Sequence, residues 1–164
     1  MRESLLAFTL FIGVFGCQRP NERQVIELSE LTITAIHQAF QDELFTAEEL
    51  TRAYLDRIDV YDTTINAITT INPQALARAR ELDLEFQQTG ELRPLHGIPI
   101  IVKDNINTKG MPTTAGSLAL KNFIPDKNAP IIDKLVDAGA IIIAKSNMAE
   151  WAFSPMHSES STHG

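Results

Sequence analysis

Apolar and polar positions along this chain follow two periods, one helical and one of strands. Between residues 25 and 60, Leu31, Ala35, Ile36, Ala39 and Phe40 recur at helical spacing, with Ser29 placed to cap the first turn. Thr46-Ala47-Glu48-Glu49 is a capping-box pattern that opens a second helix through Leu50, Tyr54, Leu55 and Ile58. Residues 66–71, NAITTI, are rich in β-branched side chains and predict a short strand. Asn72 and Pro73 then predict the start of a third helix, with Asn72 as cap and Pro73 in the first turn, where its missing N–H costs nothing. Leu76, Ala79, Leu82 and Phe86 would face inward on that helix, which ends by Thr89-Gly90.

The second half changes character. Ile98, Ile100, Ile101 and Val102 make an almost wholly apolar run between Gly97 and Asp104-Asn105, which predicts a buried strand. Residues 107–115 form a loop rich in Thr, Gly and Pro, and residues 117–122 a short helix. A further helix covers residues 130–138, with Gly139 at its end, and leads into a second buried strand over 140–144. Residues 147–153 read as a helical turn, followed by a polar loop from Ser154. Helices alternating with apolar strands argue for an α/β layered fold, and no linker divides the chain.

Composition narrows the function classes without naming one. A chain of 164 residues, 44% hydrophobic and 21% charged, is long enough for one domain with a real core. A net charge of −7 lacks the clustered basic footprint of a nucleic-acid binder. Arg2 precedes an apolar stretch over residues 5–16, too short to span a bilayer core of roughly 30 Å as a helix but suited to the h-region of an export signal. The sole cysteine, Cys17, follows at once, and Val14-Phe15-Gly16-Cys17 is similar to a bacterial lipobox, with Phe15 and Val14 less usual there. Lipidation at Cys17 would anchor the mature protein on the periplasmic side of a bacterial envelope. A plain cleaved signal, or an uncleaved hydrophobic start, is the alternative. Residues 18–24 are polar and read as a tether, which leaves residues 25–164 as the folded part.

The candidate chemistry begins with Lys103 at the end of the first apolar strand. A lysine there is either a surface residue whose stem lies along apolar neighbours or a desolvated amine tuned for proton transfer. The wording around it decides more than the spacing does. Residues 94–116 read PLHGIPIIVKDNINTKGMPTTAG, and residues 133–145 and 146–152 read DKLVDAGAIIIAK and SNMAEWA. These segments resemble the amidase signature family, serine hydrolases that cleave amide bonds with a Ser–cis-Ser–Lys triad. The resemblance implies a mixed β-sheet core covered by helices, incomplete in this chain. It implies that Lys103 is the base at the far end of the triad, neutral in a dry pocket and accepting a proton from a bridging serine. It implies a small amide or peptide-amide substrate and no cofactor.

The same resemblance sets a limit. The family's two serines lie in a Gly/Ser-rich motif beyond the part matched, and nothing like it precedes Gly164. The chain is therefore expected to be an N-terminal part of an amidase, carrying the lysine alone and inactive by itself. Ser160, Ser161 and Thr162 are expected in the wall of the substrate pocket. A catalytic pair within His157, Ser158, Ser160, Ser161 and His163 is disfavoured, since loop neighbours lack the convergence a triad needs. His96 is expected to pack beside Gly97, Asp104 and Asn105 to bond loop backbone (or, as the alternative, to order the surroundings of Lys103), Thr113, Thr114 and Ser117 to form turns, and Lys145 to be structural. No spacing of His, Cys or carboxylates suggests a metal. Two other functions stand beside amide hydrolysis: an amidotransferase component passing ammonia to glutamyl-tRNA, and a non-catalytic remnant. The export-like N-terminus argues against the former.

Overall fold

The starts of the first two helices are fixed by side-chain acceptors, and they set the frame for the sheet. In the computed structural model, which describes residues 26–153 and 160–162, the first helix, α1, spans Ile33–Gln41. Its cap is Thr32, whose Oγ1 accepts from the Ala35 N–H at 3.1 Å. The expected cap, Ser29, lies in the turn before, where its own N–H donates to Glu27 Oε1. The second helix, α2, spans Ala47–Ile65 and opens on the expected capping box of Thr46 and Glu49. It ends at Asn66 in the left-handed conformation (φ 51°), and Asp62 Oδ1 accepts from the Ala67 and Ile68 N–H groups beyond. This hands the chain to strand β1, Ile68–Ile71.

The third helix, α3, spans Ala75–Thr89 and starts later than the sequence predicts. Asn72 is not its cap: Oδ1 accepts from the Gln74 N–H in a turn that carries Pro73, while Nδ2 donates across to Ile142 O at 2.6 Å. Gly90 closes α3 at φ 68°. Strand β2 is Pro99–Lys103, and the predicted short helix shrinks to a 3₁₀ turn at Leu118–Leu120. The fourth helix, α4, covers Pro130–Asp137 with proline in its first turn, and strand β3 follows at Ile141–Ser146. A second 3₁₀ turn lies at Glu150–Ala152.

The sheet order is β1-β3-β2, antiparallel between β1 and β3 and parallel between β3 and β2. α1, α2 and α3 cover one face, packing Ile36, Phe40, Leu50, Ala75, Ala79 and Leu82 against Ile141, Ile143 and Ala144. On the other face Val102, Met111, Ile132 of α4 and Ile142 form a second core. The result is a helix–sheet–helix arrangement of the kind predicted. β3 is the buried strand at its centre. β2 is not the buried strand expected: it lies at an edge among the described residues, only Val102 is buried, and Ile101 is 45% exposed. An apolar run of five does not reveal whether its strand has one neighbour or two.

A bulge in β3 decides which face its last residues present. Ile100 pairs with Ile142 but Ile101 pairs with Ala144, so Ile143 is unmatched. Beyond that extra residue the inward and outward positions exchange, which places Ala144 with Ile141 and Ile143 and turns Lys145 to the face of Val102. Close packing also fixes the turn before β2. Gly97 sits at φ 71°, and a Cβ there would stand 2.7 Å from a ring carbon of Phe40 and 2.9 Å from the Ala47 Cβ.

Candidate active site

The parallel pair β2–β3 brings two lysines to one end of the sheet. Val102 is in register with Lys145, and Lys103 with Ser146. Alternation along the strands therefore sends Lys103 and Lys145 to opposite faces. Lys103 is exposed, and among the described residues its ammonium has no hydrogen-bond or ion-pair partner. The dry surroundings expected for it are thus not supplied by the described residues.

Lys145 is fully buried. Its Nζ donates to Ile106 O at 2.7 Å and to Thr113 Oγ1 at 3.0 Å, and stands 3.8 Å from Asp104 Oδ1. Removal from water lowers its pKa from the usual 10.5 to about 8, against the opposing pull of the Asp104 carboxylate. Asp104, next to Lys103 in the chain, is also fully buried and is held from every side. Its N–H donates to Ser146 O, its carbonyl accepts from the Ala115 N–H, and its carboxylate accepts from the Thr114 N–H at 3.2 Å and from the Thr114 hydroxyl.

The segment that Asp104 fixes is the dock for Ser160, Ser161 and Thr162. Gly116 O accepts from the Ser161 N–H at 2.9 Å and from the Ser160 and Ser161 hydroxyls at 3.2 Å each. Ser161 Oγ in turn accepts from the Leu118 N–H, and Thr162 Oγ1 lies 3.0 Å from Ser160 Oγ and 3.4 Å from Thr114 Oγ1. Only glycine fits at 116, since a Cβ there would stand 2.8 Å from Met148 O. The structure thus joins the three tail residues to the neighbour of Lys103 through Thr114, and not to Lys103 itself. His96 is buried beside Gly97 and donates its Nε2–H to Leu82 O, a carbonyl that can only accept. Thr113 serves Lys145 directly, a contact that a turn-forming role does not include. The pairing of Asp104 with Lys145 was missed from sequence. Its signal was a lysine inside a strand apolar on both faces, since such a charge needs a partner.

His157, Ser158 and His163 lie outside the described residues, as do Cys17 and residues 1–25 with the signal and tether expected there. Among the described residues no group of three His, Cys, Asp or Glu side chains could hold a metal ion, and no helix is long and apolar enough to cross a membrane.

Comparison with known proteins settles what this arrangement belongs to. The family profile described as Amidase matches residues 49–164. The chain belongs to the amidase family. The A subunit of the glutamyl-tRNA(Gln) amidotransferase of Dehalococcoides mccartyi is 43% identical to this amidase chain over 127 residues, which are 77% of the chain and 26% of the relative. Its counterpart of the same name from Chloroflexus aurantiacus is 48% identical, with the same coverage. Among solved structures, the peptide amidase from Stenotrophomonas maltophilia superposes with a TM-score of 0.70 at 41% identity, over 75% of this chain and 26% of that one. The chain therefore spans about a quarter of the length of the relatives it matches, and its mixed sheet under helices is that part of the amidase signature fold.

Proposed function

We propose that this chain contributes the lysine of an amide-hydrolysing serine enzyme, with Lys103 as the terminal base. The observation that carries the reading is the division of labour between the two strand-end lysines. Lys145 is committed to Ile106 O, Thr113 and Asp104, whereas the Lys103 amine is exposed and bonded to nothing among the described residues. Only the latter is placed to meet groups arriving from elsewhere in a longer enzyme. In the longer enzyme the amine takes the proton of a bridging serine, which takes that of the nucleophile. The nucleophile attacks the amide carbonyl, ammonia or an amine leaves, and water releases the acyl group. Ser160, Ser161 and Thr162 form part of the wall against which a small amide or peptide amide lies. The likeness to a solved peptide amidase supports such a substrate.

A chimera provides the test. Residues 49–162 would replace the matching quarter of the Stenotrophomonas maltophilia peptide amidase, with the 164-residue chain assayed alongside. The chimera is expected to hydrolyse a peptide amide and the chain alone is not. Lys103→Ala in the chimera should lower kcat by roughly 10³-fold. Wild-type kcat in a folded Lys103→Ala chimera would sink the assignment.

The names of the amidotransferase relatives favour a second reading, in which the same lysine serves release of ammonia for a glutamyl-tRNA partner. The two readings separate on location. The apolar run before Cys17 supports export and lipid anchoring, which suits an envelope amidase. In a bacterial host the chain is expected to partition into detergent and to incorporate labelled fatty acid, with Cys17→Ser abolishing both. A wild-type chain that stays cytosolic and unlabelled would favour the amidotransferase reading instead.

A further inference from the structure

The loop between β2 and α4 is closed on a buried charge pair as well as on Met111 of the second core. Lys145 reaches the start of that loop at Ile106 O and its return at Thr113, with the Asp104 carboxylate 3.8 Å away. Asp104 then holds Thr114 by both backbone and hydroxyl, and Ala115 by its carbonyl. From Thr114 and Gly116 the bonds pass to Ser160, Ser161 and Thr162. A buried ion pair is weak evidence for stability, because desolvation of both ions offsets their attraction. What this pair does supply is a fixed geometry on both sides of Asp104. One side is the last residue of β2, Lys103. The other is the segment on which the tail docks.

We infer that Lys145 and Asp104 are positioning residues: they hold the point where Lys103 leaves the sheet in fixed relation to the wall formed by Ser160, Ser161 and Thr162. The inference rests on the reading of Lys103 as the base for its kinetic consequence, but not for its structural one. Both side chains are fully buried. Lys145 acts through Asp104, Ile106 and Thr113, and the bulge at Ile143 turns its side chain to them.

Amide hydrogen exchange on the 164-residue chain tests the structural part. Lys145→Met is expected to speed exchange at Thr114, Ala115, Gly116 and Ser161 by roughly tenfold or more, while Leu50 and Ile141 in the helical core stay protected. Lys103→Ala should leave all six unchanged. Wild-type protection of the four loop amides in Lys145→Met, or acceleration of all six together, overturns the inference. Should the single variant not fold, Asp104→Asn/Lys145→Met removes both charges. It should fold with the same four amides fast, and a double variant as protected as wild type would overturn the inference equally. In the chimera, Lys145→Met is expected to lower kcat by about tenfold with KM little changed, since a misplaced base costs the chemical step. An unaltered kcat there, in a chimera whose turnover does depend on Lys103, removes the positioning role. Turnover that does not depend on Lys103 removes the reading of Lys103 as the base and leaves the exchange result standing.

Discussion

Lys145 carries a charge where water does not reach, and that has a signature in pH. Its pKa falls from 10.5 in the unfolded chain to about 8 in the folded one, because burial disfavours the ammonium more than Asp104 favours it. Below pH 8 both states hold the proton and the contribution is constant. Between about 8 and 10.5 the unfolded chain binds more protons than the folded chain, so stability rises with pH across that window. Measured by urea denaturation on either side of it, the wild type should gain on Lys145→Met by up to roughly 3 kcal/mol. A difference that stays flat, or shrinks as pH rises, would count against the assignment. Lys103 stands out in the sequence because its motif surrounds it locally, and its part in catalysis is a proposal. The role of Lys145 was half legible: its place at the end of a buried strand marked it as structural, but its partners lie up to 41 residues away, at Asp104, Ile106 and Thr113.

At the level of elements, the start of α2 shows a local signal strengthened by a distant one. Thr46 and Glu49 cap it reciprocally, as the four-residue pattern predicts. Asp83 of α3 adds a second acceptor, taking the Ala47 N–H at 2.7 Å and the Glu48 N–H at 3.0 Å. Its carboxylate also lies at the positive end of the helix dipole. Asp83→Ala should cost about 1–2 kcal/mol even with the capping box intact, read from the shift in urea midpoint. No loss would mean that the capping box and solvent satisfy those N–H groups unaided. The same contrast explains the errors at the other elements. Ser29 and Asn72 are good caps by type, but Thr32 lies nearer the apolar stripe of α1, and Asn72 is drawn away by Ile142 O. β2 read as buried because composition reports an apolar strand, while burial depends on how many neighbours the topology gives it.

For the molecule as a whole, the alternation of helices and apolar strands was enough to place it among layered α/β folds, and the wording of residues 94–116 enough to place it in its family. The strand order was not readable, and it carries a consequence for how the chain is made. The flanking strands β1 and β2 precede β3, yet among the described residues each pairs only with β3. During synthesis from the N-terminus neither can enter a ladder until residue 146 has emerged, and the core under α1, α2 and α3 likewise waits for Ile141, Ile143 and Ala144. Residues 26–140 are therefore a set of helices and unpaired strands until residues 141–146 emerge and join the two strands into one sheet.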